Sequence, residues 1–172
     1  PQVIMAAGQD PHHLSLRPSE RLALEQADLV LWVGPALEQP LVKVVDTVKT
    51  PVITAQALTG ITLLQQNGVT DPHLWLNTAN ARVIAAALLV RLQQLDAGHA
   101  AQYRSNAELF LSGLAALDDE IAAQSQPLQQ HPWAVSHQAF GYLSKQLHLQ
   151  DPLALTDSSN AAPDRKSTRL NS

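Results

Sequence analysis

The 172 residues are 45% hydrophobic and 15% charged, with a formal net charge of −4, which is the composition of folded globular material rather than of a disordered chain, and enough for one sizeable domain or two small lobes. Acidic and basic residues are interspersed, so no basic stripe exists to neutralise phosphates, and nucleic acid drops out as a partner. No apolar run approaches the roughly 20 residues that span a bilayer, no charged segment followed by an apolar core opens the chain, and the absence of cysteine excludes a disulfide framework, a thiolate metal site and a cysteine nucleophile.

In chain order, "PQVIMAA" (1–7) is apolar and β-compatible, and Gly8 and Pro11 end it in a loop that holds His12 and His13. The chain opens without a methionine, as though already inside a strand, which predicts an upstream piece. "RPSERLALEQA" has proline where a helix begins, and "DLVLWVG" is a continuous apolar run closed by glycine. Leu37, Leu41, Val44, Val45 and Val48 recur at helical spacing, and Pro51 stops that helix before a further strand, "VITAQAL". After "DPHLW", Asn77 caps a helix striped by Ile84, Leu88, Leu92 and Leu95, which breaks near Gly98. A longer helix follows, with Tyr103, Ala107, Phe110, Leu114, Leu117 and Ile121 on one face. Beyond it "WAVS" reads as a strand, "HQAFGYLSKQLHL" as a helix and "PLALT" as another strand. Strands alternating with helices predict βαβ units and parallel sheets. The segment 164–172, "DRKSTRLNS", is polar and aperiodic and resembles the reading-frame translation of a sequencing adapter, so it reads as a non-native tail.

His12, His73 and His137 each fall at or just after the end of an extended segment, with a helix soon after. Ligands of open α/β sheets bind outside the carboxyl ends of the strands, so these positions are candidates to converge on one crevice. Three imidazoles meeting there suit a transition metal, zinc above all, with Asp10 and Asp71 placed to receive the other ring N–H. Ligands so far apart match no local pattern, and the bland alternative is three unrelated loop or capping histidines. For His99, His131 and His148 that alternative is preferred, while His13 faces either the site or solvent. "VSH" and "SLRPSE" put serines near histidines but no G-x-S-x-G elbow accompanies them, so a catalytic triad is disfavoured, and the zincin, P-loop and dinucleotide fingerprints are absent.

"DPHHLSLRPSERLALEQADLVLWVGPALE", "DPHLWLNTANA" and "VSHQAFGYLSKQLHL" together resemble the three signature regions of the zinc-uptake solute-binding proteins of ABC transporters, with similarity reaching to about Pro163. The resemblance implies an α/β fold of two parallel-sheet lobes joined by one long rigid helix, both lobes incomplete here. It divides the chain into a first lobe (1–99), a linking helix (100–126), the start of a second lobe (127–163) and the tail (164–172). It implies zinc as the transported ligand, bound by His12 and His73 from the first lobe and His137 from the second. It further implies a monomer without catalytic activity that delivers Zn²⁺ to a permease in the inner membrane, either periplasmic or anchored outside the cell. A manganese-binding branch carries a carboxylate at the third position, so His137 favours zinc. The histidine-rich loop that many members carry ahead of the DPHLW element has no counterpart in 51–70. A manganese-binding protein of the same fold and a zinc-dependent hydrolase, with Asp10 or Asp71 as base, stand as the alternatives.

Overall fold

The computed structural model describes residues 1–5, 15–66 and 68–156. The 164–172 segment lies outside them, as do His12, His13 and Asp10. Helix α1 (Pro18–Gln26) starts where proline's fixed φ and missing N–H cost nothing. Glu20 reaches back to the Arg17 N–H at 2.7 Å, and an Arg21–Glu25 pair one turn apart supports the exposed face. Strand β1 (Val30–Trp32) buries Val30 and Trp32 and turns Leu31 outward. It pairs in parallel with β2 (Val52–Thr54), Val30 opposite Val52, and the Trp32 indole donates to Thr54 Oγ1 at 2.8 Å. Between them the helix expected over Leu37 to Val48 shrinks to a 3₁₀ turn and one turn of α2 (Val42–Val45). Its run of β-branched valines is poor helix material.

Strands β3 (Gln65–Gln66) and β4 (Val69–Thr70) form a small antiparallel hairpin, with Gly68 at φ +80° in its turn. Helix α3 (Thr78–Leu95) is capped by Asn77, whose side chain accepts from the Asn80 N–H at 3.0 Å. A 3₁₀ turn (Ala97–His99) leads into α4 (Ala100–Ser125), which packs along α3 and leaves an apolar groove lined in part by Ile84, Leu88, Tyr103, Ala107 and Phe110.

Beyond α4, β5 (Ala134–His137) pairs in parallel with β6 (Leu153–Thr156), and α5 (Gly141–Gln146) lies between them in sequence. Two small parallel sheets thus stand on either side of one long helix, the α/β arrangement that strand and helix alternation predicts.

Two expectations are corrected. Residues 1–5 form no strand, because none of the strands among the described residues pairs with them, and Val3 is 82% exposed. The helix expected to begin at His137 begins only at Gly141. His137 closes β5, and its carbonyl accepts from Ala139 N–H at 2.9 Å in a turn that no helix contains.

Candidate metal centre

The turn after β4 is built by Asp71. Its Oδ1 accepts the backbone N–H of His73 at 3.0 Å, closing an Asx turn through Pro72, and meets His73 Nδ1 at 2.8 Å. A carboxylate can only accept, so Nδ1 carries the proton and Nε2 presents its lone pair. Asp71 and His73 are both buried. Asp71 Oδ2 has no hydrogen-bond partner among the described residues and backs onto Gly141 at the start of α5.

Asn80 holds the turn from below. Fully buried in the first turn of α3, it accepts from Thr62 N–H at 2.8 Å and donates to the carbonyls of Thr62 and Leu74 at 2.9 Å each. From the other side comes Tyr142 of α5, 1% exposed, which packs with Ala55 and Leu74 in the core beneath the turn. Its hydroxyl donates to the Asp71 carbonyl at 2.9 Å and accepts from Leu64 N–H at 3.0 Å. Burial pushes the Tyr142 phenol up from its ordinary value, so it stays protonated and able to donate.

One turn further along α5, Gln146 accepts from the Thr78 N–H at 3.1 Å and donates to Thr78 Oγ1 at 2.9 Å and to Asp118 Oδ1 of α4 at 3.0 Å. Hydrogen bonding from Thr78, with Arg82 and Gln146 adding to it, holds the Asp118 carboxyl below the usual carboxylate range. The three helices α3, α4 and α5 are thereby joined at one polar junction.

The consequence is that His137, half-buried at the end of β5, meets His73. Their Nε2 atoms are 3.1 Å apart and the rings are inclined at 74°. Two nitrogens bound to one tetrahedral zinc, each about 2.0–2.1 Å from it, lie roughly 3.3–3.4 Å apart. The pair therefore has nearly the spacing of two ligands of one ion. Trp75 stands edge-on to His73, with ring centroids 5.5 Å apart.

Of the three histidines singled out in the sequence, the structure brings His73 and His137 together, and His12 lies outside the described residues. Among the described residues no group of three or more His, Cys, Asp or Glu could hold a metal ion. His99, His131 and His148 are exposed, and His99 is engaged with Asp96 at 2.8 Å. Asp71, one of the two candidate bases for hydrolysis, is committed to His73.

Sequence reasoning passed over Asn80, Gly141, Tyr142 and Gln146. An asparagine inside the first turn of a helix, where its propensity is poor, was the available signal for Asn80. A Cβ at Gly141 would stand 2.9 Å from Asp71 Oδ2 and 3.0 Å from Gln66 Nε2. Gly141→Ala is therefore expected to destabilise by about 1–3 kcal/mol, as overpacking does, and to weaken metal binding with it. A thermal melt and a titration check both; a variant matching the parent in each would mean that Asp71 gives way without consequence.

The family profile described as "ZnuA: Zinc-uptake complex component A periplasmic" matches residues 1–169. The high-affinity zinc uptake system protein ZnuA of Brucella abortus is 26% identical over 95% of this chain and 63% of its own length. The iron-binding protein YfeA of Yersinia pestis is 30% identical over 83% of this chain and 48% of its own. A metal ABC transporter substrate-binding lipoprotein, ScbA of Streptococcus cristatus, is 29% identical over 83% of this chain and 50% of its own. Among solved structures, a crystal structure of ZnuA superposes with a TM-score of 0.84 at 26% identity, covering 96% of this chain and 64% of that one. The chain thus spans less than two thirds of the length of these relatives.

Proposed function

Because the chain belongs to the ZnuA family of periplasmic zinc-uptake components, we propose that it captures Zn²⁺ at His73 and His137, with His12 as the third ligand, and hands it to the permease of an ABC transporter. It does this outside the cytoplasm, in the periplasm or held to the membrane by an anchor, as a monomer, and it catalyses nothing. The observation that carries this reading is the His73–His137 approach at 3.1 Å between Nε2 atoms, with His73 Nδ1 held by Asp71. A carboxylate behind a metal-binding imidazole fixes its tautomer and raises its basicity, the usual arrangement in such sites. An all-histidine donor set suits zinc, whereas manganese prefers carboxylate and water oxygens. Relatives named for iron or for metals in general make the choice of ion the point to test.

Calorimetric titration of the metal-free protein with Zn²⁺, Mn²⁺ and Fe²⁺ supplies that test. One tight site is expected for Zn²⁺, with Mn²⁺ and Fe²⁺ failing to compete at equal concentration, and His12→Ala is expected to weaken Zn²⁺ by more than about a hundredfold, above the range of groups that only orient a ligand. Tighter binding of Mn²⁺ would transfer the protein to the manganese branch. Unchanged Zn²⁺ affinity in His12→Ala would remove that residue from the ligand set.

A further inference from the structure

Residues Gln65 and Gln66 pair with Thr70 and Val69 across the β3–β4 hairpin. One residue further from the turn, Leu64 faces Asp71. In an antiparallel ladder hydrogen-bonded pairs alternate with non-bonded ones, so the Leu64–Asp71 pair, two steps from the Gln66–Val69 pair that closes the turn, is due to exchange both of its bonds. Only one is made directly, Asp71 N–H to Leu64 O at 2.9 Å. In place of the other stands the Tyr142 hydroxyl, which accepts from Leu64 N–H at 3.0 Å and donates to Asp71 O at 2.9 Å. A phenol from beyond the long helix is inserted into the ladder at the residue where the chain leaves it for His73.

We propose that Tyr142 is a positioning residue for the metal centre: its hydroxyl holds the ladder open at Asp71 and so sets the separation and mutual angle of His73 and His137. This rests on the reading of that pair as the zinc site. The covalent paths are short on both sides, two residues from Asp71 to His73 and five from Tyr142 back to His137. Gln146 fixes the far end of the same stretch through its bonds to Thr78, so α5 grips the His73 turn before and after the histidine. The ring of Tyr142 fills the core; the hydroxyl adds only the two backbone bonds. Loss of the hydroxyl leaves Leu64 N–H and Asp71 C=O either to close on each other, moving Asp71, or to stay buried and unpaired.

The test compares Tyr142→Phe with Thr54→Val, which deletes the Trp32–Thr54 hydrogen bond in the first sheet and serves as a control for general loss of stability. Zn²⁺ titration is read together with the visible absorption of the Co²⁺-loaded protein, which reports ligand geometry rather than fold. Tyr142→Phe is expected to keep one site per chain, to bind Zn²⁺ about tenfold more weakly and to shift the Co²⁺ bands. Thr54→Val is expected to melt earlier while matching the parent in both readouts. Parental affinity and spectrum in Tyr142→Phe, with binding still lost in His73→Ala, would overturn the positioning role and leave the zinc site standing. Equal weakening in both variants would reduce the effect to stability and overturn it too. A parent protein that binds no Zn²⁺ would overturn the site and the inference together.

Discussion

His137→Ala is expected to lower zinc affinity by more than about a hundredfold while leaving the melting temperature of the metal-free protein nearly unchanged. Groups that merely orient a ligand are worth about 10–100-fold in metal affinity, so a direct ligand sits above that range. His137 is half-buried at the end of β5, and its loss opens no sealed cavity. His73→Ala is expected to match the loss of affinity but also to melt earlier. That imidazole is 5% exposed and faces Asp71, so its removal leaves a buried carboxylate without its main partner. Calorimetry and thermal melts on the two variants separate the roles. A His137→Ala protein that binds Zn²⁺ like the parent would sink the two-histidine centre.

Asn80→Ala is expected to cost roughly 2–4 kcal/mol, because it strands the Thr62 N–H and the carbonyls of Thr62 and Leu74 in a site that water does not reach. At about 2–4 °C per kcal/mol for a chain of this size, the melting temperature falls by about 5–15 °C. Zinc affinity is expected to fall with it, since Asn80 ties the segment that leads into β3 to the turn that follows His73. A shift within a degree or two would mean that the three backbone groups find other partners and that Asn80 supports nothing.

The long elements were the legible part of the fold. Helical spacing of apolar residues marked α3 and α4, Asn77 marked the cap of α3, and β-compatible runs between helices marked β1, β2, β5 and β6 as parallel strands. Short elements were harder, because a few residues carry little periodicity and their neighbours decide. Met5 and the residues before it look like a strand but have no partner strand among the described residues, and the valines of 42–48 look like a helix but form a single α turn.

At the site, single-residue chemistry gave the candidates and nothing more. His73 and His137 are 64 positions apart, and no spacing rule links them; the three quoted motifs, taken as a set, did. Of what holds the pair in place, only Asp71, read from the sequence as a receiver of a ring N–H and found against His73 Nδ1, was legible. Tyr142 and Gln146 read as ordinary members of a helix, and their partners Asp71 and Thr78 lie on the other side of α4. Such contacts exist only in the assembled molecule.

The core that Tyr142 completes draws its other members from Val33 to Ile84, all of them on the far side of the long helix. As the chain emerges from the ribosome, everything through α4 is made before that side chain exists. The nascent first half thus has a gap where the phenol belongs and an untied Leu64–Asp71 ladder. The Tyr142 contacts thus tie segments made before α4 to one made after it, and the turn carrying His73 gains these two hydrogen bonds only once synthesis has passed α5.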